Sequence, residues 1–234
     1  MQLTQIHILS ADLVCETGLH IGVSETEMHI GGVDNSVVKN PLTQQPYIPG
    51  SSIKGKVRSL LEWSTGFVQK GPLGWKDYEV SGSEEVLAIL KLFGTGGQVL
   101  TDAQADRIGP TRVSFWDCSL NPQWVQQMQK HDVPLTEVKT ENRIDRIRGV
   151  ADDPRQIERV PAGARFDFRV TLKVLDGENL LETLLRGLKL VEADGIGGSL
   201  SRGYGKVKFE NLKLDGEDIM PRFEKVDAFA RSAR

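Results

Sequence analysis

Two short stretches of the sequence combine positive charge with accessible backbone amides, a combination that binds phosphate groups. The first runs from Gly50 to Arg58, contains no acidic residue, and carries two serines and three cations: Ser51, Ser52, Lys54, Lys56 and Arg58. Either serine can cap a helix, and the free N–H groups of a helix N-terminus favour an anion. On spacing alone, an ordinary amphipathic helix with a solvated basic face is slightly favoured, and a phosphate-binding helix start is the alternative.

The same segment has the GxxxxGK spacing of a nucleotide-binding P-loop, but two features disfavour nucleotide hydrolysis. Val57 stands where a serine or threonine should hold magnesium. Pro46 and Pro49 interrupt the buried strand that should precede the loop. The helix start still suits a phosphate, which could belong to an RNA backbone.

The second stretch holds five glycines in the eleven residues from Gly195 to Gly205. It lacks the third glycine of a dinucleotide fingerprint and follows a helix rather than a strand. Glycines permit close backbone approach to a ligand, arginine adds a fixed charge, and tyrosine either stacks on a base or packs in the core. The candidate ligand-binding residues here are Gly197, Gly198, Ser201, Arg202 and Tyr204. A flexible loop tip is the alternative.

Other residue types give weaker signals. Asp34, in a long glycine-containing loop, is a single carboxylate that on sequence alone is more often solvated than catalytic. His20 is more readily explained as a packed residue at a strand end than as a general base. Cys15 and Cys118 lack a CxxC partner, and no HExxH motif or catalytic triad order is present, so the sequence indicates no zinc or histidine-based metal site.

The overall composition limits the classes of partner. The 234 residues carry a net charge of −3, which argues against a general nucleic-acid binder unless positive charge is concentrated locally. No apolar run is long enough to span a membrane, and the first residues do not resemble a secretion signal. We therefore expect a cytoplasmic protein with no membrane partner.

Hydrophobic periodicity indicates the elements that must position these residues. Alternation predicts strands at 3–17, 113–117, 166–174 and 206–210. Helical spacing predicts a first helix from Ser51 or Ser52 to Gly66, a second from Ser83 to Gly94 and a third over 181–191. Residues 18–47 are predicted to form a long loop, and the tail from Met220 to fray. Without the insertions, the order is strand, helix, strand, strand, helix, strand, which predicts an α+β fold with a ferredoxin-like (RRM-like) core.

The segment from Glu137 to Val160 has a different character. It contains six basic and six acidic residues, and its few aliphatic residues are too sparse for a buried face of its own. We predict a projecting hairpin, with a plain solvated loop as the alternative.

Taken together, these segments resemble the RAMP superfamily, and within it the repeating backbone subunit of type III-A CRISPR effector complexes. The resemblance covers residues 2 to about 212 and depends on blocks in the expected order: Glu16 to Gly22, Val38 to Pro41, Tyr47 to Arg58, Leu92 to Gly94, Glu141 to Arg146, Pro154 to Arg159 and Gly197 to Val207. Residues 68–106 do not follow the family closely.

The resemblance implies a single domain. Its palm core would comprise about 2–65, 107–120 and 162–214, with a helical insertion at about 67–106 and a thumb hairpin at about 135–161. Copies would stack along guide RNA in a filament with other type III effector subunits, and the thumb would splay bases of the guide–target duplex with Ile144, Ile147 and Ile157 as wedges.

The resemblance also implies roles for single residues. Asp34 falls on the family's catalytic aspartate, which cuts bound target RNA with a divalent metal ion, Mg²⁺ or Mn²⁺. The implied RNA-binding residues are His20, Ser51, Ser52, Lys54, Lys56, Arg58, Arg143, Arg146, Arg155, Gly197, Gly198, Ser201, Arg202 and Tyr204.

Two other functions stay open at this point. One is a purely structural RNA-binding subunit in which Asp34 only caps its loop. The other is a RAMP nuclease that processes the precursor guide transcript, although the His, Tyr or Lys cluster such enzymes use is not evident in the sequence.

Overall fold

The computed structural model describes residues 1–23 and 35–230. The strands are β1 Leu3–Cys15, β2 Tyr47–Ile48, β3 Val113–Phe115, β4 Cys118–Ser119, β5 Glu137–Ile144, β6 Ala151–Arg159, β7 Arg165–Leu175, β8 Val207–Leu214 and β9 Glu217–Asp218. The helices are α1 Gly50–Thr65, α2 Trp75–Ser81, α3 Glu84–Phe93, α4 Asp102–Ile108, α5 Pro122–Lys130, α6 Leu181–Asp194 and α7 Met220–Phe223.

The main sheet has the order β3–β7–β1–β8–β9, and every neighbouring pair of strands is antiparallel. Side chains of β1 alternate from Leu9 onward, with Leu9 and Leu13 fully buried and Ser10 and Asp12 on the other face. The apolar stripes of α1, α3 and α6 join the buried residues of the sheet in one cluster. The fold is therefore a layer of helices on one face of an antiparallel sheet.

The periodicity located these elements well. The predicted helix end at Gly66 is confirmed, since this glycine has φ 78° and terminates α1. The Ser83 side chain accepts from the N–H of Val86, and α3 ends at Gly94, as predicted. Alternating burial along β7 reflects its phenylalanines, because Phe166 and Phe168 face the core.

The predicted serine cap of α1 is wrong. The N-cap residue is Pro49, with no side-chain cap, and the carbonyl of Pro49 accepts the N–H of Ser52 at 2.9 Å. The N–H of Gly50 donates instead to Asp117 Oδ1 at 2.7 Å. An acid from a distant loop therefore takes one amide that the sequence suggested was free for a phosphate.

Two further expectations are corrected at the ends of elements. The tail does not fray at Met220, because Phe223 in α7 is fully buried with its ring 6.1 Å from that of Phe209. The sequence analysis also missed α5, which buries Trp124. Its N-cap residue is Asn121, whose side chain accepts two backbone N–H groups.

Residues 67–106 form helices, as expected, but only part of this segment is separate from the main core. A second apolar cluster comprises Leu73, Trp75, Tyr78, Val86, Leu87, Leu90 and Ile108. The other side of α3, with Ile89, Leu92 and Phe93, belongs to the main core. Helix α3 therefore connects the two clusters.

The projecting hairpin is confirmed: β5 and β6 pair only with each other among the named strands and form a separate two-stranded sheet, hereafter the thumb. Its tip is exposed, with Ile147 at 97% and Ile144 at 49% of full accessibility. Ile157, predicted as a wedge, is instead 6% exposed at the base and has a packing role. None of the helices in the described ranges is both long and apolar enough to cross a bilayer.

Two helical glycines should respond oppositely to alanine. A Cβ at Gly187 of α6 would lie 2.6 Å from Cγ1 of the buried Val57, whereas a Cβ at Gly55 of α1 would meet no atom within 4 Å. We expect Gly187→Ala to lower the free energy of unfolding by about 1–3 kcal/mol through overpacking. Gly55→Ala should raise it by about 0.5–1 kcal/mol, because alanine restricts the unfolded chain.

Urea unfolding of the two variants beside the wild type measures both effects. Equal destabilisation by the two substitutions would contradict the close approach of α1 and α6.

Candidate nucleic-acid interface

The glycine-rich segment 195–205, hereafter the glycine loop, packs against the chain that carries His20. The N–H of Gly198 donates to the carbonyl of His20 at 2.9 Å, and a Cβ at Gly197 would lie 2.5 Å from the same oxygen. Gly195 and Gly197 have φ of 113° and 83°. These glycines are therefore required by the protein's own packing. This corrects the interpretation that they mainly admit a ligand.

His20 lies between the glycine loop and the thumb. Its Nδ1 is 2.7 Å from the backbone oxygen of Glu158, and because a carbonyl only accepts, Nδ1 carries the proton. In the neutral ring, Nε2 is then an acceptor. His20 and Gly198 therefore form one continuous surface with the base of β6.

Arg202 connects the glycine loop to the other thumb strand. Its Nη1 lies 2.8 Å from Glu141 Oε2, and its Nη2 donates to Ser199 Oγ. Its side chain remains 55% exposed, and Ser201 beside it is also exposed. Arg202 is therefore held in place while part of its guanidinium faces solvent.

Tyr204 cannot stack on a base, because it is fully buried. Its ring lies beneath two cations, with Lys139 Nζ at 4.5 Å and Arg159 Cζ at 5.1 Å from the ring centre. Desolvation by burial, followed by the nearby Glu141 carboxylate, raises the pKa of Tyr204 to about 12. Its predicted RNA-stacking role is replaced by a structural one at the thumb base.

The buried carboxylate of Glu158 holds three parts of the chain together. Oε1 accepts from Lys39 Nζ at 2.6 Å and from Thr136 Oγ1 at 2.8 Å, and Oε2 accepts from the N–H of Val37 at 3.0 Å. Burial would raise the pKa of the Glu158 carboxyl, but these hydrogen bonds and the Lys39 charge outweigh it, and the pKa is lowered. The residue is therefore charged at neutral pH.

The three cations predicted on α1 differ in availability. Lys54 has no ion-pair partner within the described ranges, and Lys56 pairs with Asp194, the residue before the glycine loop. Arg58 donates to Glu62 Oε1 at 2.7 Å and to the carbonyl of Leu73 at 2.8 Å. Because these two contacts hold its guanidinium inside the protein, Arg58 is not available as a phosphate ligand.

The Lys56–Asp194 pair places the first half of α1 at the same edge as the glycine loop. His20, the glycine loop and the thumb base also meet there, so the two basic stretches converge on one side of the molecule. The exposed Ser51 and half-buried Ser52 lie in the first turn of α1. Two acids, Asp117 and Asp194, lie among these groups and lower the net positive charge of the edge.

The thumb arginines lie further from this edge. Arg143 and Arg155 form exposed ion pairs with Asp152 and Asp153, at 3.3 and 2.8 Å. Arg146, near the tip, donates to the carbonyl of Ile144 at 3.1 Å. Exposed ion pairs of this kind contribute little stability, so each arginine can release its aspartate and bind another anion.

Asp34, the predicted catalytic and metal-binding residue, lies outside the described residues. The next residue, Asn35, is described: its carbonyl accepts the N–H of Glu158 at 2.9 Å, and it bridges to Ile157. Asn35 therefore lies at the thumb base. Within the described ranges no group of three or more His, Cys, Asp or Glu side chains could hold a metal ion.

Lys39, Lys139, Glu141 and Glu158 are functional candidates that the sequence analysis did not single out. In the sequence, three of these residues appear only as part of the mixed charge between Glu137 and Val160, and Lys39 appears only as a lysine in the long loop. Which acid would be buried could not be read from that pattern.

The comparisons with known proteins agree on one family. The model of the RAMP superfamily matches residues 23–208. The CRISPR system Cms endoribonuclease Csm3 of Methanothermobacter thermautotrophicus is 38% identical over 229 residues, covering 92% of this chain and 87% of that protein. The protein of the same name from Streptococcus thermophilus is 41% identical over 210 residues, covering 87% of each chain.

Solved structures show a similar fold. A chain in the crystal structure of the Csm3–Csm4 subcomplex of the type III-A CRISPR-Cas interference complex is 28% identical with a TM-score of 0.55, covering 92% of this chain and 80% of that one. Csm3 of Methanopyrus kandleri is 26% identical with a TM-score of 0.57, covering 89% of this chain and 76% of that one.

The Glu158 network predicts a pH-dependent stability difference. Replacing Glu158 with Gln removes a buried acceptor charge and should lower the free energy of unfolding at pH 7 by about 1–3 kcal/mol. Since the folded pKa is lowered from 4.5, the stabilisation is complete above that value and is lost as the pH falls through the folded pKa. The difference from wild type should therefore shrink in acid.

Urea unfolding between pH 7 and pH 3 tests this. Glu137→Gln is the matched control, because its pair with Arg159 is more exposed and should contribute less than about 1 kcal/mol. A Glu158→Gln penalty that stays constant down to pH 3 would refute the assignment.

Proposed function

The chain belongs to the RAMP superfamily and, within it, to the Csm3 family, and from this premise we propose that it is a guide-RNA-binding backbone subunit of a type III CRISPR effector complex, of the III-A kind, that also cleaves bound target RNA. The observation that carries the proposal is identity of 35–41% with proteins named Csm3 endoribonuclease over 85–92% of the chain. The meeting of two basic stretches at the thumb base supports it.

The core is proposed to be ferredoxin-like. Counting only β1, β3, β7 and β8 as strands one to four, the sheet order is 2-3-1-4 with all neighbours antiparallel, and α1 and α6 pack against each other on one face. This is the arrangement expected of a split βαβ unit.

Guide RNA is proposed to follow the edge where α1, the glycine loop and the thumb base meet. Lys54, Lys56 and Arg202 would neutralise phosphates, and the side chains of His20, Ser51, Ser52 and Ser201 would add hydrogen bonds. The exposed Gly197 and Gly198 would allow close approach of the RNA. Arg143, Arg146 and Arg155 would contact the duplex of guide and target along the thumb. A locally basic edge makes this compatible with the net charge of −3.

Target cleavage is proposed to use the RNA's own 2′-hydroxyl. Insertion of the apolar thumb tip would flip a base and rotate its sugar, which can bring the 2′-oxygen in line with the adjacent phosphorus. The bond from phosphorus to the 2′-oxygen then forms as the bond to the 5′-oxygen breaks. The 2′-hydroxyl loses its proton and the 5′-oxygen gains one, leaving a 2′,3′-cyclic phosphate and a 5′-hydroxyl.

The described residues limit how a metal ion could be held. Glu158, the carboxylate beside Asn35, is already occupied by Lys39, Thr136 and Val37. Asp34 is then the one proposed protein ligand, with the remaining positions filled by phosphate oxygens and water, a donor set that suits Mg²⁺ or Mn²⁺. Such an ion, when bound, would stabilise negative charge on the phosphate.

The partners proposed are guide RNA, target RNA, further copies of this chain in a filament, and other type III effector subunits, assembled in the cytoplasm. The relative solved as a Csm3–Csm4 subcomplex supports association with another subunit.

Asp34→Ala should leave guide RNA bound but reduce cleavage of target RNA by at least about 100-fold, because it removes the proposed metal ligand. The assay is denaturing electrophoresis of labelled target RNA after incubation with the assembled complex. A chelator should abolish wild-type cleavage, and added Mg²⁺ or Mn²⁺ should restore it.

Unchanged cleavage by Asp34→Ala would refute the aspartate's role. Absence of cleavage by the wild-type complex with metal supplied would favour a purely structural RNA-binding subunit. Cleavage of a precursor repeat hairpin by the isolated chain without metal would favour guide processing instead.

The thumb tip can be tested separately. Ile147→Ser should reduce target cleavage by about tenfold or more, since a misplaced nucleophile is costly, while guide retention stays unchanged. The free energy of unfolding should shift by no more than about 0.5 kcal/mol, because the side chain is 97% exposed.

Val99→Ser is the matched control, since Val99 is 99% exposed in the segment between α3 and α4. Equal cleavage rates for the Ile147 and Val99 variants would exclude a wedge role for the tip.

A further inference from the structure

A carboxylate of the thumb forms an ion pair with the arginine of the glycine loop. Glu141 on β5 has its Oε2 2.8 Å from Arg202 Nη1 and its Oε1 3.4 Å from Lys139 Nζ. The Glu141 side chain is only 15% exposed, while that of Arg202 is 55% exposed. The Glu141 side chain is therefore mostly buried, whereas the Arg202 side chain with which it pairs is largely exposed to solvent.

The surroundings of Glu141 favour a negative charge beyond its own ion pairs. Two buried oxygens here, the hydroxyl of Tyr204 and Oε2 of Glu141, have no hydrogen-bond partner of good geometry among the described residues. Lys139 and Arg159 lie over the Tyr204 ring. Burial would raise the pKa of Glu141, yet the Tyr204 hydroxyl, Arg202 and Lys139 outweigh it and the pKa is lowered. The site is thus built for an anion.

A carboxylate and a phosphodiester present similar oxygen acceptors to a guanidinium fork and an ammonium group. We propose that Glu141 occupies, in the RNA-free protein, the position of a backbone phosphate of single-stranded RNA, and that the phosphate displaces it from Arg202 and Lys139. This inference rests on the proposed function. It assigns Lys139 as a further RNA ligand and Glu141 as an internal competitor.

The exchange has a structural consequence, because Glu141 and Lys139 lie on the thumb strand β5 whereas Arg202 lies on the glycine loop. In the free protein the ion pair ties the two elements together. Phosphate binding replaces this ion pair with contacts through the RNA, while the contacts of Lys139 and Arg159 with the Tyr204 ring still hold the thumb against the loop. The competing carboxylate also lowers the affinity of the free chain for RNA.

The test is fluorescence anisotropy of a labelled single-stranded RNA with the full chain. Glu141→Gln removes the competing charge and should tighten binding by about threefold, the size expected for releasing a partly exposed ion pair. Glu137→Gln on the same strand makes the same change in net charge, but its partner is Arg159. It should change affinity by less than about 1.5-fold.

Two further variants separate exchange from general electrostatics. In an Arg202→Gln background, Glu141→Gln should lose most of its effect, since the ion pair that it releases is already absent. Glu141→Ala removes the same carboxylate with a shorter side chain and should also tighten RNA binding. Thermal unfolding of each variant shows whether it is folded, and Glu141→Ala serves as the test if Glu141→Gln is not folded.

Unchanged or weaker RNA binding by folded Glu141→Gln and Glu141→Ala would overturn the exchange, as would tightening by Glu137→Gln of equal size. Failure of the wild-type chain to bind RNA would instead count against the proposed function, so the two failures are distinguishable.

Discussion

The position of the thumb depends on ionic and hydrogen-bonded contacts at its base. The two-stranded hairpin has no core of its own, and most of its side chains are exposed. Glu158 joins its base to Lys39 and Val37, and Glu141 joins it to Arg202. An unpaired buried carboxylate is costly, so these partners define one orientation. The bond from Glu158 to the carbonyl of Asn35 further links this base to the chain that follows Asp34.

This protein has a net negative charge, yet it can present a phosphate-binding edge. The reason is that only some of its cations are bound to acids inside the protein. Arg58 and Arg112 are bound to internal partners, Glu62 and Glu178. Arg202, Lys54 and Lys139 keep part of their surface in solvent near the glycine loop or on α1. The glycines contribute indirectly: their tight packing on His20 holds the loop in place. The rigid loop then offers Arg202 in a fixed position, which lowers the entropic cost of binding.

The sequence was sufficient for most of the fold, since strands β1 and β7 and helices α1, α3 and α6 each have a clear period. The sequence was insufficient wherever the role of a residue depends on a partner that is far away along the chain. Ser51 and Ser52 look like caps, but Asp117, more than sixty residues away, takes the N–H of Gly50. Arg58 and Tyr204 look like ligands for RNA, but each is committed to the interior by residues remote in the chain. The mixed charges of the thumb gave no sign of which acids would be buried.

The central claim is that RNA lies along the edge formed by α1, the glycine loop and the thumb base. The competing surface is the open face of the sheet, where Arg169 stacks 4.8 Å from the ring centre of the half-exposed Trp116 in a groove that also contains Lys213. Photo-cross-linking of thiouridine-substituted RNA to the full chain, mapped by mass spectrometry, distinguishes the two most directly. We expect adducts in the glycine loop, the first turn of α1 and β5. Adducts concentrated around Trp116 and Lys213, with the glycine loop unmodified, would contradict the claim.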